Sequence, residues 1–82
     1  MFIPILINMA YRDRIISNHN IVLGKPVIKG TRVPVEIILK KLSEGQTVED
    51  LLEAFANITK EDILACLEYS ADVIASEELI EA

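Results

Sequence analysis

The chain of 82 residues holds one cysteine, Cys66, and one histidine, His19. A lone cysteine forbids an intramolecular disulfide, and two soft ligands fall short of the four a zinc site normally takes unless subunits share them. The cysteine density of small secreted domains is missing, so a reducing cytoplasm is the expected compartment. No apolar run approaches the roughly 20 residues of a membrane span. The apolar opening Met1-Phe-Ile-Pro-Ile-Leu-Ile7 lacks the basic start and longer apolar stretch of a signal peptide. Three readings of that opening stand: an edge strand, an oligomer contact, or translation upstream of a start at Met9. His19 sits in the polar turn Ser17-Asn18-His19-Asn20 with no nucleophile nearby. No acid pair, no nucleophile with its base and no metal cluster is found, so an enzyme is not expected and no cofactor is implied.

Apolar residues, by contrast, are plentiful, at 51% of the chain, with a mean hydropathy of +0.36. That excludes a disordered acidic tail. One small domain buries only about 60–65% of its extended surface. Surplus apolar surface therefore makes a homodimer or higher oligomer the expectation. The net charge of -5 hides a division. Residues 1–41 carry seven basic groups against two acids, or +5, and residues 42–82 carry one base against eleven acids, or -10. A basic half can meet phosphates through counterion release. An acidic half repels them and suits a basic partner. A solvated surface with no partner is the plain alternative, and the isoelectric point of 4.7 argues against strong non-specific DNA binding.

From Arg14 to Val33 the pattern is strand and turn. Ile15-Ile16, Ile21-Val22-Leu23 and Val27-Ile28 are short apolar runs broken by turn formers, and Pro26 restricts any sheet to a small edge. After Pro34 the period becomes helical. Val35, Ile38, Leu39 and Leu42 share one face of a helix over about 34–44, with Pro34 in its first turn, Lys40 and Lys41 in its last, and Gly45 as its stop. Two similar starts follow, Thr47-Val-Glu-Asp50 and Thr59-Lys-Glu-Asp62, each a threonine cap with an acid three residues on. They predict a helix over about 48–56, with Val48, Leu51, Leu52 and Phe55 inward. They predict another over about 60–76, with Ile63, Leu64, Leu67, Ala71 and Ile74 inward and Lys60, Glu61, Ala65 and Glu68 outward. The tight joint Ala56-Asn57-Ile58-Thr59 gives the last two helices a helix-turn-helix layout. The expected organisation is an apolar extension over 1–11, one domain over 12–76 and an acidic tail over 77–82.

The run Gly24-Lys-Pro-Val-Ile-Lys-Gly-Thr-Arg-Val-Pro-Val35 resembles the signature of a bacterial and archaeal family known as the domain of unknown function numbered 433. Arg14-Ile15, Glu44-Gly45 and Thr59-Lys-Glu-Asp-Ile63 fit the same family, and the resemblance covers about residues 12–76. It implies a mainly α, three-helix, homeodomain-like helix-turn-helix bundle with a small N-terminal β-hairpin element. It also implies an antitoxin role opposite a PIN-like nuclease toxin.

Gly24 and Gly30 are of the kind that cradles phosphate, but the lysine of a P-loop is missing after the second glycine, and turn geometry is the better reading. Together with Pro26, Thr31 and Arg32 they are read as a structural motif, with Arg32 expected to pair with a carboxylate such as Glu36 and lock the hairpin onto the first helix. A phosphate contact by Arg32 is the competing role. The acidic start of the third helix weakens direct base reading. The candidate DNA contacts are therefore Arg12, Arg14, Lys25, Lys29, Lys40, Lys41 and Lys60. Cys66 is read as a buried small hydrophobe, and Tyr11 and Tyr69 as packing residues. The expected function is an antitoxin-like regulator of a type II toxin–antitoxin module. It would bind a PIN-like nuclease toxin and, with less support, its own operator DNA. A protein-binding or oligomerisation module with no nucleic-acid role is the alternative.

Overall fold

A computed structural model describes residues 13–17 and 24–81, with side chains up to residue 76. The extension over 1–11, Tyr11, Arg12, His19 and the Ile21-Val22-Leu23 run lie outside the described residues.

Two strands, β1 (Ile15–Ser17) and β2 (Pro26–Ile28), pair antiparallel, with Ile15 opposite Ile28 and Ser17 opposite Pro26. The hydroxyl of Ser17 donates to the Gly24 carbonyl across the hairpin. Pro26 occupies a strand end, where its missing N–H costs the ladder little. The far side of β2 is used as well, because Val27 bridges to Pro34. The loop from β2 turns at Gly30, which has φ +83. The Thr31 N–H donates to the Ile28 carbonyl at 3.0 Å, closing a four-residue turn whose third position demands positive φ.

Three helices follow: α1 (Val35–Ser43), α2 (Val48–Ala54) and α3 (Lys60–Glu81). Pro34 does not lie in the first turn of α1. It stands one residue before it as the extended cap residue, where its φ of -71 still leads the chain into the helix. The end of α1 is a Schellman motif. Gly45 takes φ +95, its N–H donates to Leu42, and the Gln46 N–H reaches back to Lys41. Both threonine caps form reciprocal boxes. The Asp50 N–H donates to Thr47 Oγ1 while Asp50 Oδ2 accepts from the Thr47 N–H, and Thr59 with Asp62 repeats the arrangement.

The core joins the hairpin to all three helices through Ile15, Ile28, Val35, Ile38, Leu51, Ile58, Ile63, Ala65 and Cys66. The faces of α1 and α2 are as the periodicity predicts: Val35, Ile38 and Leu51 are buried, and Leu39, Leu42, Val48, Leu52 and Phe55 are half-buried. The orientation of α3 is not. Its inward face is Asp62, Ile63, Ala65 and Cys66, whereas Leu64, Leu67, Ala71 and Ile74 are exposed. Ile63 is inward as expected, but apolar residues are spread around much of this helix, so a 3.6-residue period alone does not say which side meets the core. It also runs to Glu81 rather than ending near 76, so most of the expected acidic tail is helical. Ile58, buried just before the Thr59 cap, and Ile63 at the fourth helical position hold the places of a hydrophobic staple. Among the described residues no helix is long and apolar enough to cross a membrane.

Candidate functional site

The signature over Gly24–Val35 serves the architecture. Thr31 Oγ1 donates to the Ile28 carbonyl at 2.7 Å and accepts from the Val33 N–H at 2.9 Å, which holds the loop in shape before α1 begins. Gly24 and Gly30 have φ +84 and +83, as the turn reading requires. Arg32 departs from expectation. It is exposed and has no ion-pair partner among the described residues, while Glu36 is taken by Lys25 Nζ at 3.1 Å. Arg32 stands before the helix begins, so the i,i+4 spacing that would bring it to Glu36 does not apply there.

Two of the candidate DNA contacts, Arg14 and Lys25, are held by carboxylates. Arg14 Nη1 lies 3.1 Å from Asp62 Oδ1, so the guanidinium ties β1 to the start of α3. The Asp62 carboxylate thereby serves a cap and an ion pair at once, and the residue is buried. Lys25 is neutralised by Glu36, though that pair is open to water and contributes little to stability. Lys29 and Lys40 are exposed and Lys41 is half-buried, with no ion pair among the described residues. Lys29 and Arg32 lie ahead of α1, and Lys40 and Lys41 lie in its last turn, about 8–9 Å along it from Val35 at the helical rise of about 1.5 Å per residue. Lys60 opens α3 beside the acids Glu61 and Asp62. Of the described candidates, Arg14 and Lys25 are held by carboxylates, and Lys29, Lys40, Lys41 and Lys60 have no ion pair among the described residues.

A shallow depression of about 500 Å³ is lined by Gly30, Thr31, Arg32 and Asn57, where the β2–α1 loop meets the α2–α3 joint. Asn57 is a member that sequence reasoning missed, because nothing local links the joint to a loop so far away in the chain.

Cys66 is fully buried, and its thiol is pushed up to about 12, first by desolvation and then by the neighbouring Asp62 charge. It is a packing residue and not a nucleophile at neutral pH. Among the described residues no group of His, Cys, Asp and Glu is arranged to hold a metal.

The outward side of α3 is the most unusual surface. Leu64, Leu67 and Ile74 are 50%, 45% and 56% exposed. Ala71 lies in the same row, Lys60 heads it one turn before Leu64, and Glu61 and Glu68 stand along one side of it.

Comparison with known proteins places this architecture. An uncharacterized protein, y4eO, from Sinorhizobium fredii (strain NBRC 101917 / NGR234) is 39% identical over 54 residues, which is 66% of this chain. This chain spans about a quarter (24%) of the length of that relative. A crystal structure of a DUF433 member protein from Anabaena variabilis superimposes with a TM-score of 0.73 over 99% of this chain and 83% of that one. At 20% identity it establishes the shared fold. The family model for a protein of unknown function (DUF433) matches residues 15–70, from the first strand through the first half of the last helix, and the chain belongs to that family.

Proposed function

We propose that this protein is an antitoxin-like regulator that works first as a protein-binding module. Its C-terminal half would hold a PIN-like nuclease toxin, and operator DNA would be a secondary contact. The toxin partner follows from the resemblance carried by Gly24–Val35. The observation that supports protein over DNA is the contrast between the two halves. In the basic half, Arg14 and Lys25, two of the described cations, are already paired internally. In the acidic half, α3 offers a row of exposed apolar side chains with carboxylates beside it. Large exposed apolar side chains grouped on one face are a mark of interaction surfaces. Acids beside them suit a basic partner and repel phosphate.

Co-expression with a small nuclease encoded beside this gene, followed by purification through a tag on this chain, tests the proposal. The nuclease is expected to co-purify and to be inactive while bound. A gel shift with the upstream DNA is expected to be weak for this chain alone and stronger once the toxin adds its own basic charge. Absence of a co-purifying nuclease together with absence of any salt-sensitive shift overturns the reading. A protein-binding module with no nucleic-acid role remains the second reading, supported by the acidic start of α3, and it requires the shift to stay absent with the partner bound.

A further inference from the structure

We propose that the outward face of α3 is a docking surface for a basic amphipathic helix of a partner protein. This inference rests on the protein-binding reading and adds where and by what chemistry the partner is held. Leu64, Leu67, Ala71 and Ile74 follow one another at alternating steps of three and four residues, the spacing of a coiled-coil seam. They run along a solvent-facing strip of the helix that borders Ile63, which faces the core together with Asp62 and Cys66. Single exposed leucines are ordinary on protein surfaces, but three large apolar side chains in one row at about half exposure are not. Helix formation does not require them, since lysine, glutamate or alanine would serve an exposed position equally well.

The rim identifies the occupant. Residues 60–81 carry seven acids and one base; among the acids Asp62 faces the core, and the base, Lys60, stands at the head of the row one turn before Leu64. Glu61 is exposed at the edge of the seam and Glu68 is half-buried beside it. A second copy laid along this face would set one acid-rich helix against another, an arrangement that charge pairing disfavours. A helix with an apolar seam bordered by lysine or arginine matches the face in both shape and charge. The apolar row supplies the contact area, and the carboxylates set orientation and salt dependence.

The full chain is titrated calorimetrically with two synthetic helical peptides that share a leucine seam, one flanked by lysines and the other by glutamates. The lysine peptide is expected to bind roughly tenfold or more tightly than its acidic twin, with affinity that falls as salt rises. Leu67→Glu and Ile74→Glu change half-exposed positions, so both variants are expected to melt like the parent and to lose the lysine peptide. Ile37→Glu, at a 38% exposed position on α1, is expected to keep it. No binding of the lysine peptide, or equal binding of both peptides, overturns the proposal. So does light scattering that shows a dimer split by Leu67→Glu, because the face then belongs to a second copy. A nuclease that co-purifies equally with Leu67→Glu and with the parent preserves the antitoxin reading and sinks this surface. Lysine-peptide binding with no co-purifying nuclease preserves the surface and sinks the antitoxin reading.

Discussion

The two aspartate caps form a built-in control, and replacing each by alanine separates the cap from the ion pair. Asp50 and Asp62 occupy the same position in equivalent boxes, with the carboxylate accepting from the threonine N–H at 2.9 Å in both. They differ in surroundings. Asp50 is exposed, whereas Asp62 is buried and also holds Arg14 at 3.1 Å. Asp50→Ala removes only its share of a cap, about 1 kcal/mol. Asp62→Ala removes that share and a charge-assisted bond between partners that are 43% and 11% exposed. Such a bond lies between an open surface pair and a buried one, so it adds roughly 1–2 kcal/mol. Asp62→Ala is thus expected to cost about 2–3 kcal/mol in all, and each kcal/mol lowers Tm by about 4–8 °C in a domain of this size. Urea melts followed by circular dichroism measure both losses. A double-mutant cycle of Arg14→Ala with Asp62→Ala is expected to show coupling of about 1 kcal/mol that weakens with salt. Equal losses for the two aspartates, or zero coupling at low salt, refute the assignment of Arg14 as the tie between hairpin and helix.

Cys66 should resist alkylation in the folded protein and react quickly once denatured, a contrast that a thiol-reactive dye reads directly. Its thiol ionises near the ordinary 9.0 when unfolded and near 12 when folded. Its contribution to stability is therefore intact below pH 9 and falls as pH rises through that window, by roughly 1.4 kcal/mol per pH step. Alkaline melts of the parent against Cys66→Ala check the sign, since the variant should lose less stability over the same range. Thr31→Val removes both of its loop hydrogen bonds and is expected to cost about 1–2 kcal/mol, whereas Arg32→Ala should stay within about 0.5 kcal/mol of the parent. A large drop in Tm for Arg32→Ala would restore its role as an anchor. At Gly45 an added Cβ meets nothing within 4 Å, so Gly45→Ala isolates the cost of its positive φ, about 1–2 kcal/mol, in the same urea melts.

Features set by neighbours a few residues apart were legible in the chain itself. The starts of α2 and α3 follow from Thr47 with Asp50 and Thr59 with Asp62, the end of α1 from Gly45, and the inward faces of α1 and α2 from apolar spacing. Membership of the family was legible from the Gly24–Val35 run, because turn chemistry concentrates specific residues in a short string. The division of charge between the halves could be counted, but its spatial outcome could not. Arg14 and Asp62 are 48 positions apart, and Lys25 meets Glu36 only because the hairpin folds against α1. The rotation of α3 was equally out of reach. Apolar residues are spread around much of that helix, and the choice fell to packing, in which the hairpin and α1 closed over Ile63 and Cys66 and left Leu64, Leu67 and Ile74 facing water. A one-dimensional pattern records how often apolar groups recur; only contact with distant segments assigns them an inside.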